Sequence, residues 1–358
     1  MCGNTQILCI GYSDAFLEHK PPPQSYHPEN PNRLIIAIEA LRREGIWRYA
    51  KLLGYVSTDA NLAKKVHSPD YVELVKRLSN EYGWIDADTY VSPGTWKAAL
   101  SALATSVKLF EHNVTGLCSV SLALIRPPGH HAGVSGRALG APTQGFCIFN
   151  NVAVVAKRAL EMKLMPVLVL DIDVHHGNGT QEIFWYTANV IHIDMHGDYL
   201  YPGTGYVYDV GGGEGEGTKI NIPLPPATGD EDYVYIFKEL IIPIVEVIKP
   251  RVFLVSAGFD AYQNDGLAFM NLTYRGYKLI GSIISVLSAK YSSAGLLIVL
   301  EGGYSEGLDK GLPAFMIGTL RPTNVEHESK EFRSKVSSYI VKTCEKVRKI
   351  VRRYLGPI

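Results

Sequence analysis

The chain has 358 residues, 46% of them hydrophobic and 20% charged, which allows a large buried core and excludes an intrinsically disordered polymer. Lys plus Arg and Asp plus Glu number 35 each, so no global field draws the chain to nucleic acid or an anionic membrane, and such binding would need a local patch. No apolar run reaches about 18 residues and no basic segment leads into a long apolar one, so the expectation is a soluble, cytoplasmic protein. Cys2, Cys9, Cys118, Cys147 and Cys344 are scattered without CxxC spacing. Reduced thiols are expected, with neither a disulfide framework nor a thiolate zinc site.

The predicted elements alternate. A strand over residues 7–10 precedes a proline-rich loop, and Asn32 is placed to cap a helix over 33–44 whose Leu34, Ile35, Ile38 and Leu41 form one stripe. Ser68 before Pro69 opens another helix, and residues 96–111 read as a third. A strand over 121–125 leads into a glycine-rich loop at 127–147 and a helix at 150–162. Further buried strands are expected at 166–170, 190–193, 252–256 and 296–300, with helices near 231–248 and 273–290. Repetition of strand, loop and helix predicts an α/β fold built on a doubly wound parallel sheet, and no linker divides residues 1–358, so one domain is expected. A basic amphipathic helix at about 328–355, with Phe332, Val336, Tyr339, Ile340, Val347, Ile350, Val351 and Tyr354 near helical spacing, closes the chain.

Chemistry-bearing residues follow the strands. RPPGHH, DIDVHH, DMHGD, SAGFD and EGGY each come directly after an apolar run, and in open α/β sheets ligands bind beyond the carboxyl ends of strands. In DIDVHHGNGT, Asp171, Asp173 and His175 alternate along one side of an extended segment. Two carboxylates and an imidazole that close together need a compensating cation. Asp260 past a strand end is a candidate further ligand, adjacent His130 and His131 suit acid–base work, and Tyr304 follows two glycines that free the backbone.

RPPGHHAG, GFCIFNNVAV, DIDVHHGNGTQEIF, YPGTG, SAGFD and LEGGY, in this order, closely resemble the motifs of the histone deacetylase superfamily, of the class II type and its prokaryotic relatives. HPENPNR and NIPLPPATGD extend the resemblance to residues 10–310. It implies a three-layer α/β/α arginase-deacetylase fold with a mostly parallel sheet of about eight strands. By position it implies one catalytic Zn2+ on Asp173, His175 and Asp260, with His131 as base, His130 as its electrostatic or acid partner, Asp171 and Asn178 supporting these two, and Tyr304 on the oxyanion. Gly145, Phe146 and Tyr201 would line the channel for the acyl-lysine stem, Asp88 would hold the substrate backbone, and Leu267 would stand at the gate. Asp171 and Asp194 match a monovalent cation site, potassium by the resemblance, although Asp194 stands where serine is usual.

A two-metal arginase site would need acids where this chain has Gly177 and Tyr262. The implied activity is a metal-dependent deacetylase acting on acetylated lysine in proteins or peptides, with acetylpolyamines as the alternative substrate and a non-catalytic acyl-lysine binding protein as the other class. HGDYLYP resembles the polyamine enzymes, whereas an apolar Leu267 would not attract a second ammonium. A homo-oligomer is compatible with the resemblance, and neither membrane nor direct nucleic-acid binding is expected.

Overall fold

The computed structural model describes residues 7–329 and 335–358. Ten strands are present among them: β1 (Leu8–Gly11), β2 (Lys51–Leu53), β3 (Gly83–Trp84), β4 (Tyr90–Val91), β5 (Val120–Ala123), β6 (Val167–Asp171), β7 (Val190–Gly197), β8 (Lys219–Leu224), β9 (Val252–Ala257) and β10 (Leu296–Leu300). Eight form one all-parallel sheet in the order β2-β1-β5-β10-β9-β6-β7-β8, and β3 and β4 make a separate antiparallel pair. The central strands are buried along their whole length and rich in Val, Leu and Ile, as required when helices cover both faces. No described helix is long and apolar enough to cross a membrane.

The register brings the chemistry together. Asp171 lies opposite Asp194 on one side and Ser256 on the other, Ala257 lies opposite Leu300, and Val299 lies opposite Ala123. The strands β5, β10, β9, β6 and β7 are neighbours in that order; the carboxyl ends of the first four are level to within one residue, and β7 runs three residues further. Five segments distant in sequence therefore open onto one edge of the sheet.

Several expectations change. The edge strands β2 and β8 were not predicted; β2 is largely exposed, and β8 contains Lys219 and Pro223, so neither shows an apolar run. Asn32 does not cap the first long helix but is its first residue, and its amide donates to Asn30 Oδ1 at 2.9 Å. Ser68 and Asn150 do cap the helices Pro69–Leu78 and Asn151–Glu161. The helix expected near 231–248 contains a wide turn at Phe237–Ile241. The last helix spans Ser338–Leu355; Cys2 and Phe332 lie outside the described residues.

The expectation of unpaired thiols is overturned by a disulfide between Cys9 and Cys118, whose Cα atoms are 5.8 Å apart. The two are 109 residues apart in sequence, and parallel pairing of β1 with β5 makes them neighbours. Cys147 and Cys344 are free and buried.

Candidate functional site

Beyond the ends of β6 and β9, Asp173, His175 and Asp260 bring one ligand atom each to within 4.8 Å of the others. His175 Nδ1 lies 3.2 Å from Asp173 Oδ1 and 3.1 Å from Asp260 Oδ2. Both carboxylates are buried, and His175 is 14% exposed. Burial and the charge of Asp173 push the Asp260 carboxyl up to about 6. Burial acts to lower His175, but hydrogen bonds to Asp173 and Asp260 outweigh it and raise the ring to about 10. The cluster thus draws in positive charge. A carboxylate, imidazole, carboxylate set fits a divalent ion that leaves a further position for substrate. Gly258 and Gly302 make room for it, since a Cβ on them would come within 2.1 Å and 2.5 Å of Asp173 Oδ2.

The two histidines after β5 differ in their partners. His130 Nδ1 is 3.0 Å from Asp171 Oδ2, while His131 Nδ1 is 2.8 Å from Asn178 Oδ1. The amide nitrogen of Asn178 donates to Ala138 O at 2.9 Å, so its oxygen faces the ring. A carbonyl oxygen only accepts, so Nδ1 of His131 carries the proton and Nε2 of the neutral ring keeps its lone pair. Burial alone would lower both rings. The carboxylates of Asp171 and Asp173 reverse this for His130 and hold it well above 6.5, whereas burial, then the charges of His130 and His175, hold His131 well below it. Two adjacent rings with opposed proton affinities are able to serve as an acid–base pair.

Tyr304 is carried by the segment after β10. Arg33 lies over its ring, 4.6 Å from the centroid, and Phe146 meets it edge-on at 5.9 Å. Burial pushes the phenol well above its ordinary value, so it remains a donor. Tyr201 stands edge-on to His131 at 4.9 Å and to His175 at 6.4 Å, and its hydroxyl donates to Thr143 O. Between them lies Gly145 (φ +52°), where a Cβ would meet His131 Cδ2 at 2.5 Å. His175, Gly145, Phe146, Tyr201 and Tyr304 are the partly exposed members; the acids and the histidine pair are buried.

The remaining candidates are placed differently. The Asp88 carboxylate accepts from Thr89 and Thr143 side chains at 2.8 and 2.6 Å, pinning its loop to the segment that carries Phe146. Leu267 lies on the wall of a neighbouring recess with Pro226, Phe269 and Met270. Asp194 accepts from the Gly177 amide and pairs with His196 Nδ1 at 2.6 Å, and Asp171, His192 and Asp194 form a second buried group able to hold an ion.

Three supports carried no signal in the spacing of single motifs. Glu301 accepts from the amides of Gly129 and His130 and from Ser256 Oγ, and burial pushes it up to about 7. Arg33 donates to the carbonyls of Gly303 and Glu301, tying the first long helix to the Tyr304 segment. Asp265 accepts from the amides of Tyr304, Ser305 and Gly307. Asp265→Ala leaves these donors unpaired and is expected to destabilise by about 1–3 kcal/mol, read as a lower denaturant midpoint.

The histone deacetylase domain model matches residues 27–315. The chain belongs to the histone deacetylase family. Within it, the chain is 42% identical to an uncharacterised protein of Methanocaldococcus jannaschii over 97% of each chain. It is 37% identical to a probable deacetylase of Archaeoglobus fulgidus, covering 88% of this chain and 85% of that one. Histone deacetylase 15 of Arabidopsis thaliana is 34% identical over 90% of this chain and 58% of its own length. The crystal structure of the HDA15 HD domain superposes with a TM-score of 0.86 at 31% identity, covering 98% and 96% of the two chains. The parallel eight-stranded sheet is therefore the arginase-deacetylase fold of this family of hydrolases.

Proposed function

We propose that the protein is a zinc-dependent deacylase that removes acetyl or other acyl groups from lysine side chains of proteins or peptides, working as a single domain. The observation that carries this reading is the opposed pair His130 and His131 set beside the Asp173, His175, Asp260 cluster. When bound there, zinc would supply Lewis-acid polarisation of the amide carbonyl and of the attacking water. His131 Nε2 accepts the proton of that water, since Asn178 commits Nδ1 to donation. His130, held protonated by Asp171, balances the developing negative charge beside its neighbour. Tyr304 donates its hydroxyl proton in a hydrogen bond to the oxyanion. Phe146 and Tyr201 flank the acyl-lysine stem, Gly145 keeps the space between them, and free lone pairs on Asp88 receive substrate amides. The proton taken up by His131 passes to the amide nitrogen as the C–N bond breaks, so the products are a free amine and a carboxylate.

The proposed substrate class rests on the recess that contains Leu267. The recess that contains Leu267 has no acidic side chain among its described lining residues, which supports a lysine substrate over a polyamine with a second ammonium. A potassium ion beside Asp171 and Asp194 belongs to the same proposal, supported by two carboxylates buried side by side on β6 and β7. The test is a panel of acetyl-lysine peptides and acetylated polyamines assayed with zinc, with chelator, and after zinc is restored. Peptide hydrolysis should vanish with chelator and return with zinc. Lack of chelator-sensitive hydrolysis on every member would sink the reading, and a clear preference for polyamines would overturn the substrate class.

A further inference from the structure

The balanced charge of the chain conceals an uneven distribution. Residues 330–358 hold nine of the 35 Lys and Arg residues but only two of the 35 Asp and Glu residues, so the remainder of the molecule is net negative. Most of these cations lie on the helix Ser338–Leu355, whose one acid is Glu345. Its apolar face, with Ile340, Cys344, Val347, Ile350 and Val351, is buried against β8 and the helices over 230–248. The opposite face presents Lys342, Lys346, Lys349 and Arg353 at steps of four, three and four residues, all exposed, with exposed Glu345 at the edge of the row, three residues after Lys342 and four before Lys349. At 1.5 Å per residue the stripe runs about 16 Å along a rigid rod.

These cations are poorly neutralised. Lys342, Lys349 and Arg353 have no ion-pair partner among the described residues, and Lys346 sits over the exposed ring of Tyr208 at 4.6 Å. By contrast Lys65, Lys97 and Lys290 each lie within 3.1 Å of a glutamate. The helix begins beside the catalytic edge, where Tyr339 donates to Asp198 at 2.7 Å, and ends beside the start of β8, where Tyr354 donates to Glu216 at 3.1 Å. A linear row of unpaired cations matches a polyanion. A membrane fits poorly, because the apolar face that would enter the headgroup layer is already buried in the protein.

We propose that this stripe docks the phosphate backbone of duplex DNA beside the edge of the sheet that carries the site. Binding would be independent of sequence and of catalysis. The full chain is titrated into a labelled DNA duplex and followed by fluorescence anisotropy across a salt series. Four phosphate contacts predict a slope of log K against log salt of about −3.6, or about 10²-fold weaker binding between about 50 and 200 mM salt. The variant K342E/K346E/K349E/R353E should lose binding while keeping its melting midpoint and its activity on a short acyl-lysine peptide. K342Q/K349Q/R353Q, milder in charge, should reduce the slope by about three. The proposal fails if the wild-type chain shows no salt-dependent binding, if the substitutions leave binding unchanged, or if polyglutamate or phosphatidylserine vesicles bind more tightly than DNA.

Discussion

Replacing His131 by Ala is expected to lower kcat by about 10²–10⁴-fold, the contribution of a positioned general base, with the metal content of the purified protein unchanged. The ring is not a member of the ligand cluster, and its Nδ1 is bonded to Asn178, so the loss falls on proton transfer. In the proposed role, His131 accepts a proton only while Nε2 is unprotonated. Burial, then the charge of His130, keep its proton affinity well below the ordinary histidine value. The rate is therefore expected to stay level through neutral pH and to fall only as pH drops through that lowered value. Asn178→Asp places a carboxylate opposite Nδ1, which raises the affinity, so the acidic limb of kcat/KM should move to higher pH. An unmoved limb in that variant, with His131→Ala still active, would remove His131 from the role of base.

Tyr304→Phe is the second expected loss, about 10²–10³-fold in kcat with KM little changed. The hydroxyl is the only atom removed. The ring contacts to Arg33 and Phe146 and the backbone anchors to Asp265 persist, so folding and metal content should be those of the wild type. Burial keeps the phenol protonated across the working range, so the donor is available at every pH at which the base is competent. Full activity of this variant would show that the oxyanion is held elsewhere.

The central strands were legible because a strand buried on both faces must be apolar throughout, as β6, β9 and β10 are. The edge strands β2 and β8 were not, since one side of an edge meets solvent or a single helix and tolerates lysine, asparagine and proline. The disulfide was hidden for a related reason. Cys9 and Cys118 have no motif in common, and only the pairing of β1 with β5 makes them adjacent.

Within the site, the residue types were readable from DIDVHHGNGT, RPPGHH, SAGFD and EGGY, because ligands and bases must follow strand ends and each such segment has its own local pattern. The supports were not readable that way. Glu301 acts on the amides of Gly129 and His130, Arg33 on carbonyls beside Tyr304, and Asp265 on the amides after Gly303. Each bond joins segments far apart in the chain to backbone atoms, which every residue has, so side-chain identity leaves no trace of the partner. The sequence by itself determined the α/β class, the family and the chemical groups at one sheet edge. The tertiary structure decided the proton placement, because burial lowers both rings, the carboxylates of Asp171 and Asp173 outweigh it for His130, and the charge of His130 lowers its neighbour His131 further.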